Sequence, residues 1–175
     1  MTKKAQSQGV MNFIKKYLFK SENYKFDDGT SQAINVPYPD SGIYENYILH
    51  YSDATNTELL SINIDQLYSE VVDLTAAQME RAYEYIYEER DPGNSTSTNV
   101  LITVGVDGMW ADDGSATYYL HRLQLRNGFR SIVVSIGENW SSLSVLAESE
   151  DWYFKATDAN GQWVADQISR IICNL

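Results

Sequence analysis

The chain of 175 residues contains one cysteine, two histidines and three prolines. The single cysteine, Cys173, excludes a disulfide within the chain, and so few histidine and cysteine residues supply no cluster of transition-metal ligands. No apolar run is long enough to cross a bilayer. Lys3 and Lys4 are not followed by an apolar run as long as that of a secretory signal. We therefore predict a cytoplasmic protein that has no metal, no cofactor and no membrane contact.

Basic residues are scarce and unevenly placed. Residues 40–113 contain 15 acidic residues and only two basic ones, Arg81 and Arg90, so this segment carries a charge of −13 within a chain of −11. Such a segment repels phosphates, and the basic residues form no stripe, so we predict no direct binding of nucleic acid. The same charge attracts basic surfaces, and we predict a basic protein partner.

Hydrophobic residues make up 43% of the chain, which is typical of a globular protein. Residues 1–9 are polar and lack periodicity, so we predict a disordered arm followed by a single domain at 10–175. Apolar residues at helical spacing predict helices near 10–20, 75–90 and 162–173. On the last helix the spacing places five residues on one side: Trp163, Val164, Ile168, Ile171 and Ile172.

Apolar runs, several of them alternating with polar residues, predict strands in the rest of the domain. Asn127-Gly128 is typical of a two-residue hairpin turn, and Asp107-Gly108 indicates the start of another hairpin loop. Strands joined by hairpins are antiparallel, so we predict an α+β fold: an antiparallel sheet of five or more strands with helices on one face and one end. The predicted strands span residues 43–51, 58–64, 100–106, 116–125, 129–136, 143–147 and 152–156, and the last two are either two short strands or one long strand with a bulge.

The helix predicted at 75–90 has one face for the core and another of negative charge. Thr75 and Gln78 have the spacing of a capping box, which predicts that the helix starts here. Like charges four residues apart cost about 0.2–0.5 kcal/mol per pair, so stability alone does not favour a stripe of glutamates. We predict that the stripe binds the basic partner, and the alternative is a solvated helix in an acidic protein. The predicted buried face is Met79, Ala82, Tyr83 and Ile86, and the predicted partner-binding face is Glu80, Glu84, Tyr85, Glu88 and Glu89.

The two histidines lie in predicted strands and lead to a second hypothesis. His50 and Ser52 share one face of their strand, and His121 lies in the strand at 116–125. This pattern resembles the two-histidine phosphoesterases. The resemblance implies a phosphodiesterase in which His50 and His121 act as acid and base and Ser52 holds the phosphate. The second motif departs from that family, because Leu123 stands where the family has a hydroxyl.

No complete catalytic motif is present, and three functions remain open. Asp107, Asp112 and Asp113 carry oxygen ligands suited to a hard cation, but aspartates are also what a hairpin turn favours, and we predict no metal there. The first function is an acidic inhibitor that covers a nuclease or another nucleic-acid-binding surface. In size and composition it resembles bacterial toxin-immunity proteins and phage inhibitors of host defence. The second is the phosphodiesterase, and the third is a structural or assembly protein.

Overall fold

The structure, a computed structural model, describes residues 3–20, 24–26, 31–36, 48–49, 56–69, 79–88, 98–106, 114–137 and 142–175, and gives the backbone alone for residues 3–7 and 142. Five α-helices lie in these ranges: α1 (Lys3–Phe13), α2 (Thr57–Ser69), α3 (Met79–Glu88), α4 (Ser115–Asn127) and α5 (Gly161–Cys173). Three strands lie there as well: β1 (Val100–Val106), β2 (Arg130–Ile136) and β3 (Tyr153–Ala156). A π-helical segment (Ile14–Leu18) continues α1, and two short 3₁₀ helices (Ser142–Leu146 and Glu150–Trp152) precede β3.

The described strands form one sheet in the order β1-β2-β3, and both pairs are parallel. Val100 lies opposite Arg130 and Val106 lies opposite Ile136, so β1 and β2 pair along their full lengths. Parallel neighbours cannot be joined by a tight turn, because the chain must first return along the sheet. Helix α4 lies between β1 and β2 in the chain and makes this return. The prediction of an antiparallel sheet of five or more strands joined by hairpins is therefore wrong.

Helix α4 occupies the segment that the sequence predicts as a strand at 116–125. Its buried residues Ala116, Leu120 and Leu123 lie at helical spacing, whereas Leu125, which the alternating pattern grouped with Leu123, is 72% exposed. Asn127-Gly128 ends this helix instead of turning a hairpin. Gly128 has a positive φ of 64°, and its N–H donates to the carbonyl of Gln124 at 3.1 Å. This is the usual way in which a glycine ends a helix.

Two other predicted strands are also helical. The segment 58–64 belongs to α2, whose buried residues Leu60, Ile64 and Leu67 repeat every three or four positions. The Asn56 side chain accepts a hydrogen bond from the N–H of Leu59 at 2.8 Å and so stabilises the first turn. The segment 143–147 lies largely in a 3₁₀ helix, in which Leu143 and Leu146 are both fully buried. A short apolar run is ambiguous between these structures, since several periods fit it.

Other predictions agree with the structure fully or in part. β1 spans the predicted residues 100–106, and β2, β3 and α5 differ from the predicted bounds by only one residue. On α5, Val164 and Ile168 are buried as expected, but Trp163 is 58% exposed. Helix α1 begins at Lys3, inside the segment that the sequence predicts as a disordered arm. The strand at 43–51 lies outside the described residues apart from Ile48 and Leu49.

The sheet has a core on each face, as a parallel sheet requires. Alternate residues of β2 divide between the two sides: Ile132 and Val134 face one core, and Val133 faces the other. Residues of α1, the π-helical segment and α5 cover the first side, whereas α3 and α4 cover the second. In the second core, the hydroxyl groups of Tyr83 and Thr103 lie 2.7 Å apart and join α3 to β1. The described part is therefore a three-layer α/β/α arrangement that places α3 and α4 side by side on one surface.

Candidate functional site

Helix α3 has the orientation that the sequence predicts. Its buried residues are Met79, Ala82, Tyr83 and Ile86, the four expected ones. Of the predicted partner-binding residues, Glu88 is exposed and Glu80 and Glu84 are half-buried. Tyr85 is half-buried and packs against the second core, and Glu89 lies outside the described residues. Glu80, Glu84 and Glu88 thus lie on the side of α3 that faces away from the core.

Glu84 is held by the neighbouring helix. The hydroxyl of Tyr119 on α4 donates a short hydrogen bond to Oε1 of Glu84. This hydrogen bond raises the pKa of Tyr119 to about 12, because ionising the phenol would place its charge beside the carboxylate. The Tyr119 ring also lies 5.4 Å from the ring of Tyr118 and 6.2 Å from that of Tyr87, measured between centroids. One carboxylate of the acidic stripe is therefore anchored in a tyrosine cluster.

Two arginines of α4 lie against the same tyrosines. The guanidinium carbon of Arg122 is 4.7 Å from the centroid of the Tyr87 ring and 5.3 Å from that of Tyr118. Its Nη1 donates to the Tyr118 hydroxyl at 2.6 Å. The guanidinium of Arg126 lies 5.6 Å from the Tyr87 ring, and its Nη1 donates to the Tyr87 hydroxyl. We call these residues, with Glu84, the tyrosine–arginine face: Glu84, Tyr87, Tyr118, Tyr119, Arg122 and Arg126.

This face opens to solvent along α4. Tyr118 is 54% exposed and Leu125 is 72% exposed, and His121 between them is also exposed. His121 therefore lies on the outer side of a helix, so its placement in a strand is wrong, and so is the two-strand arrangement on which the phosphoesterase resemblance depends. Leu123, at the position where that family has a hydroxyl, is fully buried. His50 and Ser52 lie outside the described residues.

The sequence contains a helical spacing in α4 that the strand prediction overlooked. Tyr118, Arg122 and Arg126 are spaced four residues apart, which places them on one side of a helix. Their contacts to Tyr87 depend on the packing of α4 against α3 and cannot be read from spacing alone.

The described residues give no support for a metal site. In these ranges, no three histidine, cysteine, aspartate or glutamate side chains converge as ligands. Asp107, Asp112 and Asp113 lie outside the ranges. We therefore assign no metal to the described residues. No helix in the described part of the chain has the length and hydropathy needed to cross a membrane.

The arrangement is similar to those of a mussel byssus protein and a Plasmodium protein. One is proximal thread matrix protein 1 of the mussel byssus, with a TM-score of 0.66, 15% identity and 93% of this chain covered. A structure of that protein with a zinc-occupied MIDAS motif has a TM-score of 0.65 and 16% identity, and the match covers 93% of this chain. The manganese-loaded TRAP protein of Plasmodium vivax has a TM-score of 0.54 and 17% identity, and the match covers 71% of this chain. At these identities the likeness concerns the fold, which is that of von Willebrand factor A (VWA)-like domains. This chain spans 42–43% of the matrix protein chain and 51% of the TRAP chain.

A relative defines the family. The chain is 71% identical over all 175 residues to a Caenorhabditis elegans protein, "Uncharacterized protein C18H9.6", and covers the whole of it. No family model matches the chain. This chain belongs to the same family as the nematode protein. The expected character of a bacterial immunity protein or phage inhibitor is therefore wrong, because the relative is an animal protein and the similar structures have VWA-like folds.

Proposed function

We propose that this protein is a binding domain that holds a basic protein partner on α3, beside the tyrosine–arginine face. The observation that carries the proposal is the composition and order of this surface. Tyrosine and arginine are among the residues enriched where protein interfaces contribute most of their binding energy. Here Tyr87, Tyr118 and Arg122 are already fixed by mutual contacts, so a partner would cost them little conformational freedom.

The VWA-like fold is compatible with a binding role. One similar structure is that of a matrix protein of the mussel byssus, and a matrix is held together by contacts between macromolecules. Because the two proteins share only 15% identity, the likeness shows the fold alone, and a matrix role for this chain is a proposal.

The acidic side of α3 indicates the charge of the partner. Glu80, Glu84 and Glu88 follow one another at intervals of four residues on the side away from the core. A partner with lysine or arginine side chains would relieve their mutual repulsion, and the charge of −13 over residues 40–113 would speed its approach.

A charge-reversal variant tests this proposal. In Glu80→Lys/Glu88→Lys, Glu84 stays in place because it accepts the Tyr119 hydrogen bond. The matched control is Glu150→Lys/Asp151→Lys, which makes the same change of charge at two exposed residues before β3. Each protein is immobilised and exposed to a C. elegans extract at low salt, because a 71% identical relative occurs in that animal. Retained proteins are quantified by mass spectrometry.

We expect the wild type and the control to retain the same basic proteins. The α3 variant should retain about tenfold less, which corresponds to about 1.4 kcal/mol of lost attraction. Thermal unfolding should be similar for all three proteins, since surface substitutions usually change stability by about 0.5 kcal/mol or less. Equal retention by the α3 variant and the wild type would refute a role for the acidic stripe.

A further inference from the structure

The charges of Arg122 and Arg126 are not balanced by carboxylates within the described residues. Two other cations in these ranges are balanced: Arg130 lies 2.6 Å from Glu148, and Lys15 lies 2.6 Å from Asp65. The described contacts of Arg122 and Arg126 are instead with the rings and hydroxyls of Tyr87 and Tyr118. The chain has 24 acidic and 13 basic residues, so carboxylates are abundant. In the part of the chain that the structure describes, Arg122 and Arg126 thus differ from Arg130 and Lys15, because tyrosines and not carboxylates contact them.

The tyrosines hold both guanidinium groups beside one ring. Arg122 and Arg126 lie 4.7 Å and 5.6 Å from the centroid of Tyr87. Each also donates to a tyrosine hydroxyl through Nη1. A guanidinium has five N–H donors, so each arginine keeps donors that these contacts do not use. The arginine side chains are thus ordered before any ligand arrives, which lowers the entropic cost of binding.

We propose that Arg122 and Arg126 form a binding site for one oxyanion, which is a carboxylate, sulfate or phosphate group. The planar fork of a guanidinium matches two oxygens of such a group, and charge-assisted hydrogen bonds of this kind are the strong ones. A bound oxyanion would also relieve the repulsion between the two cations. This inference does not rest on the proposed function, because it requires no protein partner.

The neighbouring acids limit the size of the ligand. Glu84 is joined to Tyr119, whose ring contacts both Tyr87 and Tyr118, so a carboxylate borders the site. Glu88, one turn further along α3, is exposed. A long polyanion would meet these charges, whereas a single group can contact the arginines alone. The site therefore favours a compact oxyanion over an extended chain of negative charge.

Nuclear magnetic resonance of the arginine side chains tests the site directly. The Nε–Hε signals of ¹⁵N-labelled protein are followed during separate titrations with sodium sulfate, inorganic phosphate and sodium acetate. Sodium chloride keeps the ionic strength constant at about 0.1 M, where exposed charges are screened beyond about 10 Å. We expect at least one probe to shift the signals of Arg122 and Arg126 to saturation. A preference for acetate would indicate a carboxylate source, and a preference for sulfate or phosphate would indicate those groups.

Three variants make the result specific. Arg122→Gln should abolish saturation, and Arg122→Lys should raise the apparent Kd about tenfold, because lysine keeps the charge but loses the fork. Arg170→Gln, which removes an exposed arginine of α5, should leave the titration unchanged. The inference is overturned if no probe saturates the shifts, if chloride alone reproduces them, or if Arg122→Gln still shows saturation at Arg126. The backbone spectrum of each variant confirms that it is folded.

Discussion

Gly161, the first residue of α5, lies against the ring of Tyr17. A Cβ atom at position 161 would lie 2.6 Å from Cδ2 and 2.9 Å from Cζ of this ring, closer than real Cβ contacts. The ring cannot easily move, because Tyr17 is 9% exposed, contacts Phe13, and donates to the carbonyl of Asp158 at 3.2 Å. We therefore expect Gly161→Ala to destabilise the protein by about 1–3 kcal/mol, the usual cost of overpacking.

The sign of this effect should depend on Tyr17. Where the backbone suits both residues, replacing glycine by alanine otherwise stabilises a protein by about 0.4–1 kcal/mol, because it lowers the conformational entropy of the unfolded chain. Once Tyr17→Ala has removed the ring, Gly161→Ala should therefore be neutral or stabilising, although Tyr17→Ala itself costs about 3–5 kcal/mol. The coupling free energy of the two substitutions should then be about 1 kcal/mol or more.

Urea unfolding followed by tryptophan fluorescence measures all four proteins of this cycle, with the slope m checked for constancy. The control background is Leu123→Ala, in the core on the opposite face of the sheet, where the cost of Gly161→Ala should be fully retained. An equal cost of Gly161→Ala with and without the Tyr17 ring would refute the packing of α5 on the π-helical segment.

Two further predictions concern the core and the tyrosine cluster. Ile168→Ala should lower the free energy of unfolding in urea by about 2–5 kcal/mol, because Ile168 is fully buried. Trp163→Ala, on the exposed side of α5, should lower it by about 0.5 kcal/mol or less. Similar values for the two variants would contradict the orientation of α5 in the structure. The folded pKa of Tyr119 is about 12 against about 10 unfolded, so its contribution to stability is complete below pH 10 and is lost as the pH rises towards 12. Tyr119→Phe should therefore lose less stability than the wild type between these two pH values, and parallel curves would contradict the Glu84 contact.

The candidate site was only half predictable from sequence. The side of α3 that carries Glu80, Glu84 and Glu88 follows from helical spacing, because local periodicity decides which side of a helix is buried. The tyrosine–arginine face joins residues 35 and 39 positions apart, as in the pairs Tyr119–Glu84 and Arg126–Tyr87. Such contacts depend on how α3 and α4 pack, and spacing along the chain contains no information on that.

The sequence by itself determined the elements whose pattern fits one structure. These are the β-branched strands β1 and β2, the helix α3 with its buried side, and the helix α5, on which Val164 and Ile168 are buried but Trp163 is exposed. Tertiary structure decided the segments whose pattern fits both a strand and a helix, such as 116–125, where alternating and helical spacing coexist. It also decided that the strands are parallel, because strand direction follows from the path of the connecting chain. Once α4 is a helix that covers Val133, the chain crosses over the sheet and β2 must run parallel to β1.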